Sequence, residues 1–314
     1  MKSIRLKFYS ILILTLLLGA CSLIQPEPVL VDTSVTLSGT YYGDTHTFVI
    51  IGEPSYIEET VYRISDEKEL ALLALSAFEK GEIKVYYESA TELSLNKTMQ
   101  YVGTLLPFTF ALQSGTQSYK KGDEVVKKIN TLEIQYDQSQ YTQLLTYVDA
   151  WETLYMQDGF TILQELEIYH DQLLLNTQYD TSLIDIDLSQ TDGHGSFEAI
   201  GLFETKLAVC SGYSRAYMTL LKDRGVPAIM ISSLAMNHAW NMVYTGSEWK
   251  YVDVTFDDPI PDETGRTLRT YFLKYFSFLE NDKKHSFDPS TEDTLSIGEY
   301  GLWASYVFPN PKSE

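Results

Sequence analysis

The sequence predicts an α+β protein, on three observations. Apolar residues at helical spacing alternate along the chain with short runs at strand spacing. Around residue 210 a cysteine stands at the start of a helical pattern, Tyr213, Ala216, Tyr217, Leu220 and Leu221, closed by Gly225 and Pro227. Two strand patterns follow, one through His238–Tyr244 and one through Trp249–Thr255, with a hairpin signal at Thr245-Gly246-Ser247 between them. A cysteine at a helix start is thus followed by a histidine and an aspartate on two paired strands. A smaller α+β domain precedes this segment.

The 314 residues carry 44% apolar residues and a formal charge of −20, enough apolar material for a sizeable core. Lys2, Arg5 and Lys7 lie in a segment expected to be removed, which leaves 20 basic against 43 acidic residues, a formal −23. Such a surface repels phosphate backbones, so no nucleic-acid partner is expected.

From Met1 the chain reads as an export signal. Three basic residues precede the apolar run Phe8–Leu18, which is shorter than the roughly 20 residues a membrane span needs. Leu18-Gly19-Ala20-Cys21 resembles a bacterial lipobox. That resemblance implies cleavage before Cys21, lipidation of its sulfur, and an exported protein anchored to the bacterial cell membrane on its outer side, with ordinary secretion as the alternative. Two cysteines in an exported chain suggest a disulfide. If Cys21 carries lipid, however, Cys210 is left as a free thiol. The expected layout is a signal peptide over 1–20, a tether over 21–35, an accessory domain over 36–157 and a catalytic domain over 158–314.

In the accessory segment, Thr36–Tyr42 and His46–Ile51 read as strands around Gly43-Asp44. Asp66 and Glu69 resemble a capping box before the periodic run Leu70, Leu73, Ala74, Ala77 and Phe78, which Gly81 ends. Ile83–Glu88 is a strand, and Leu93–Leu106 a helix stopped by Pro107. Phe108–Leu112 and Leu132–Tyr136 are strands around a polar bend, Gly115–Lys128. Tyr141–Met156 is a third helix. His46 is a lone structural histidine, and no catalytic constellation is found in this segment. A new helix begins at Thr161, with Ile162, Leu166, Tyr169 and Leu173 on its apolar face.

Chemistry concentrates between Lys206 and Pro259. A cysteine at a helix start meets the helix dipole and unpaired N–H groups, which favour a thiolate and can hold an oxyanion. Ser211-Gly212 adds little bulk beside the sulfur, leaving room for a substrate. Taken alone, Cys210 reads more readily as a buried inert thiol. Alternation places His238, Trp240, Met242 and Tyr244 on one strand face, and Trp249, Tyr251, Asp253 and Thr255 on a face of the next. A Thr245-Gly246 loop would pair His238 with Asp253 directly. A Gly246-Ser247 loop slips the register by two and makes the pair diagonal. Either keeps imidazole and carboxylate on one face. Thiol, imidazole and carboxylate together are the inventory of a nucleophile, its base and the group that orients the base. Trp240, Trp249 and Tyr251 either line the cleft or pack the hairpin.

Three stretches, Val209-Cys210-Ser211-Gly212-Tyr213-Ser214, Asn237-His238-Ala239-Trp240-Asn241 and Tyr251–Pro259, resemble the core motifs of the transglutaminase-like superfamily in order and spacing. Ile168–Asp180 resembles the bacterial branch of that superfamily. The resemblance implies a papain-like core, a cysteine-bearing helix packed on an antiparallel sheet that carries a histidine and an aspartate, and acyl transfer through a thioester on a protein or peptide substrate. Cys210 would attack an amide carbonyl, His238 would move the proton and Asp253 would orient the ring. An amine acceptor gives a crosslink, and water gives hydrolysis or deamidation. Among Gln190, His194 and Glu198, His194 is the candidate oxyanion side chain. No calcium-loop pattern is present, so neither metal nor cofactor is expected. His170 and His285 read as surface or structural residues. Thr270–Leu279 is expected to close the core, and the tail through Ser305–Phe308 to add an edge strand. The alternative function is a binding or scaffold lipoprotein with an idle triad.

Overall fold

The computed structural model describes residues 33–38, 45–52, 57–184, 194–258, 260–261, 263 and 265–311. The export signal, Cys21, most of the expected tether, the Gly43-Asp44 turn and Gln190 lie outside them. Among the described residues no helix is long and apolar enough to cross a membrane.

The N-terminal segment builds a six-stranded sheet. β1 (Thr33–Ser38) and β2 (Thr45–Ile50) pair antiparallel, and β3 (Val61–Ile64) pairs antiparallel with β2. Pairing thus begins three residues inside the expected tether. α1 (Glu67–Glu79) then crosses over so that β4 (Lys84–Ser89) lies parallel to β3, a pairing that needs such a connection. Every residue of α1 from Leu70 to Phe78 is buried, as expected of a helix that is apolar nearly all round. Its start is capped by Asp66, which accepts from the Glu69 amide at 2.9 Å. The Glu69 carboxylate reaches back to the Ser65 amide, 2.8 Å, one residue before the cap.

α2 (Leu95–Gly103) is shorter than expected because Ser94 caps it, accepting from the Lys97 amide. β5 (Ala111–Lys121) and β6 (Glu124–Gln135) form a long hairpin, and the sheet order is β1-β2-β3-β4-β6-β5. The polar stretch expected to be a bend is therefore strand, and the turn is confined to Gly122-Asp123, with Gly122 at φ +65°. Most of the outer part of this arm is exposed on both faces, so it lacks the apolar alternation by which strands are read. α3 (Gln138–Tyr155) ends the segment.

The C-terminal segment opens with α4 (Ile162–Asn176), whose Thr161–Gln164 capping box is complete. β7 (Gln178–Tyr179), a short 3-10 turn (Gly195–Phe197), α5 (Ala199–Thr205) and β8 (Leu207–Ala208) lead to α6 (Cys210–Asp223). β7 and β8 pair in parallel. α6 stops in a Schellman motif, with Gly225 at φ +72°, the Gly225 amide on the Lys222 carbonyl and the Val226 amide on the Leu221 carbonyl. β9 (Ala228–Ser233), β10 (His238–Tyr244) and β11 (Trp249–Val252) form an antiparallel sheet in the order β11-β10-β9. Tyr244 pairs with Trp249, which selects the slipped register. The second strand ends at Val252, so Asp253 and Thr255 leave the sheet, and α7 (Val254–Asp257) begins at once.

α8 (Phe276–Asn281) and α9 (Ile297–Val307) complete the chain. The expected C-terminal edge strand is a helix instead. Ser296 and Glu299 form a complete capping box that starts it. One hydrophobic cluster runs through α1, α2, α3, α4, α5, α6, β9, β10 and α9. Trp303 of α9 packs on Tyr101 of α2 at 4.9 Å between ring centroids and donates to Thr104 Oγ1 at 2.8 Å. His46 packs against Tyr306 of α9.

Candidate active site

Cys210 is the first residue of α6 and half-buried. The residue before it, Val209, caps the helix without offering a side-chain acceptor. The first helical turn thus keeps N–H groups that no intrahelical carbonyl can reach. A strip of backbone packs behind this turn. The Val209 amide donates to the Ser196 carbonyl at 2.9 Å, and Ser211 Oγ and Arg215 both donate to the Phe197 carbonyl, at 3.0 and 2.9 Å. Gly212 makes that approach possible, since a Cβ there would sit 2.3 Å from the Ser196 carbonyl oxygen. The space expected for substrate beside Gly212 is filled by the protein itself.

The sheet is fixed to this helix by Asn241, which is fully buried and donates to the Ser214 carbonyl at 2.9 Å. That bond sets β10 against α6, and His238, at the start of β10, interacts with Cys210. Its Nε2 lies 2.7 Å from Asp253 Oδ2. Asp253 holds its place because its Oδ1 caps α7, accepting from the Phe256 amide at 3.0 Å. The imidazole is sandwiched between Phe256, 4.4 Å away, and Trp240, 5.8 Å away, both nearly parallel to it. Trp240 is buried and covers the ring. Trp249 packs on Tyr244 and Phe308, and Tyr251 on Phe276. All three aromatic residues therefore serve packing.

Burial disfavours a charged His238 ring, but the charge and hydrogen bond of Asp253, with those of Cys210, outweigh it and raise its pKa to about 10. Burial likewise works against an ionised Asp253, yet His238, His285 and the Phe256 N–H hold its carboxyl below the usual range. Near neutral pH the histidine is an imidazolium beside the sulfur.

Residues 163–254 match the model of the transglutaminase-like superfamily. This part of the chain belongs to that superfamily. The matched segment contains Cys210, His238 and Asp253. Among solved structures, a TGase is similar at 14% identity and a TM-score of 0.33, over 70% of this chain and 64% of its own. A candidate cysteine protease from Cytophaga hutchinsonii is similar at 14% identity and a TM-score of 0.26, over 49% of this chain and 67% of its own. The chain thus spans less than two thirds of that TGase. No curated protein matches the sequence.

Three further histidines of the C-terminal segment stand outside the set Cys210, His238 and Asp253, and of the two alternatives read for His170 and His285, surface or structural, both take the structural one. His194 is exposed, and its Nδ1 accepts from the Ser196 amide at 3.3 Å, capping its own turn. Glu198 accepts from the Thr109 amide at 3.2 Å. Neither His170 nor His285 is on the surface. His170 is fully buried between Asp171, 3.0 Å, and Asp257, 3.2 Å, and Asp257 also accepts from the Tyr271 amide. Burial pulls the His170 pKa down, but the two carboxylates outweigh it and raise it.

His285 is buried at the triad itself. Its Nε2 lies 3.0 Å from Asp253 Oδ2, the oxygen that His238 uses, and its Nδ1 lies 3.1 Å from Asp282 Oδ2. His238, Asp253 and His285 each bring one potential metal-ligand atom within 4.8 Å of the others. Both imidazole edges already address one carboxylate oxygen, so the trio is closed by its own hydrogen bonds. Tyr179 was also missed. It pairs with Ala208, two residues before Cys210, and interacts electrostatically with the cysteine, which with burial raises its pKa. Its only signal in sequence was the Tyr179-Asp180 pair that ends the stretch before the core.

Proposed function

We propose that this protein is a thiol enzyme that transfers acyl groups from amide bonds through a thioester on Cys210. The observation that carries the reading is the line Cys210–His238–Asp253, in which the imidazole is hydrogen-bonded to the buried carboxylate and interacts with a thiol at a helix start without a side-chain cap. The Cys210 thiolate adds to the carbonyl carbon of an amide. Negative charge moves to the carbonyl oxygen, for which the first N–H groups of α6 are the donors in reach. Imidazolium His238 gives its proton to the departing nitrogen, the C–N bond breaks, and an amine leaves a thioester behind. An incoming amine or water then loses a proton to His238 and attacks the thioester carbon, restoring the thiolate and the imidazolium. Asp253 keeps the ring aligned throughout.

The substrate class is protein or peptide amide. The chain is exported and held at the membrane by lipid on Cys21, so substrates lie outside the cytoplasm. The N-terminal signal pattern and the Leu18–Cys21 motif support that placement. The test is incubation with a glutamine-containing protein and a labelled amine, followed by mass analysis of the peptide bearing Cys210. A trapped acyl adduct on Cys210 is expected. Incorporation of label then marks crosslinking, and release of peptides without label marks hydrolysis. Absence of any adduct, with full biological effect of Cys210→Ala, would leave a binding scaffold.

A further inference from the structure

The mechanism just described uses one histidine, yet a second is built into the same carboxylate. Asp253 Oδ2 accepts from two rings at once, His238 Nε2 at 2.7 Å and His285 Nε2 at 3.0 Å. The second ring is fixed on every side. Its Nδ1 edge is held by Asp282, which the Lys284 amide and Tyr271 also engage. Its faces and edges meet Trp240, Phe256 and Tyr271, at 5.4, 5.0 and 5.2 Å between centroids. Its side chain is wholly buried. Trp240 and Phe256 are also the two residues that sandwich His238.

We propose that His285 is a positioning residue, which pins Asp253 Oδ2 in line with His238 Nε2 and is itself pinned by Asp282. This inference rests on the catalytic reading of Cys210, His238 and Asp253. A carboxylate capping a helix through Oδ1 can still pivot about that contact. A buried N–H on the far side of Oδ2 removes this freedom, and a fixed carboxylate holds the imidazolium beside the sulfur. Without His285 the carboxylate swings, its attraction for the ring weakens, and the burial cost of the charged ring is no longer fully offset. A donor that only competed for Oδ2 would act oppositely, since its removal would strengthen the bond to His238.

The test follows His238 by ring-nitrogen NMR and Cys210 by its rate of alkylation with iodoacetamide near neutral pH, in the full chain. The titratable groups facing the ring are Asp253, Cys210 and His285, with Asp282 beyond His285. In His285→Phe, His238 is expected to lose its proton at lower pH, and alkylation to slow roughly tenfold, a fraction of what acid–base groups contribute. His285→Gln keeps an N–H toward Asp253 and is expected to restore both to near wild type. Should the phenylalanine variant fail to fold, Asp282→Asn, which loosens the grip on His285 from outside, is expected to move both readouts in the same direction. Unchanged or raised His238 titration in these variants, with a fast-reacting wild-type thiol, overturns the role of His285. A slow-reacting wild-type thiol overturns the catalytic reading itself and this role with it.

Discussion

His238 carries a large electrostatic perturbation at the site, and its sign is testable. Its folded pKa, about 10, lies above the ordinary histidine value of 6.5. The stabilisation from the charged ring is therefore fully present below about 6.5 and is lost as pH rises through about 10. In Asp253→Asn the largest opposing influence is gone and burial prevails. The ring is then expected to titrate at or below the ordinary value, with reactivity of Cys210 falling about 10²–10⁴-fold. Ring-nitrogen NMR across the pH range, with alkylation rates, checks both. Cys210, His238 and Asp253 were legible in sequence because each sits in a strong local pattern: a helix start for the cysteine and two alternating strand runs for the histidine and the aspartate. His285 was not. It follows Asp253 by 32 residues, in a segment with no period, and its partner Asp282 looks like an ordinary turn residue. Only the fold brings the two imidazoles to one oxygen.

Among the elements, α6 and the turn behind it decide where the sulfur stands. The contact is backbone against backbone, with no flexible side chain to yield. Gly212→Ala would drive a Cβ into the Ser196 carbonyl. Overpacking of this kind costs about 1–3 kcal/mol or more. The variant is expected to melt several degrees lower and to lose thiol reactivity, because the first turn of α6 must shift. Thermal unfolding with alkylation kinetics reads both effects, and an unchanged melting temperature would contradict the tight contact. Elements were legible where apolar period and cap agreed, as in α1 and α4. The β5–β6 arm was misread because strands exposed on both faces show no apolar alternation. α9 was misread because only its end, Ser305–Phe308, was taken as an element, while the capping box that starts the helix lies further back, at Ser296–Glu299. The slipped hairpin register could not be chosen from sequence, since both loops keep the same residues on the same face.

At the scale of the molecule, the N-terminal sheet and the transglutaminase-like core share one hydrophobic interior. Trp303, fully buried, closes the C-terminus onto α2, while the Met230 amide of β9 donates to the Thr104 carbonyl at 2.9 Å. Trp303→Ala removes a large ring from that junction, at a cost of about 3–5 kcal/mol. Both segments are expected to lose stability together, with near- and far-ultraviolet circular dichroism giving coincident transitions at lower temperature. Separate transitions would show that the segments unfold independently. An α+β chain and a candidate site were legible in the sequence. It could not reveal the shared interior, because the contacts that make it join residues some 200 positions apart.

The central claim is that Cys210 is an activated thiol, made so by an imidazolium that a buried carboxylate maintains. The rate at which iodoacetamide alkylates Cys210 near neutral pH, compared with a free thiol and with His238→Ala, tests it most directly. The folded wild-type protein is expected to react far faster than the free thiol, and His238→Ala to lose that advantage. A wild-type thiol no faster than a free one, or a rate untouched by removal of the imidazole, would contradict it.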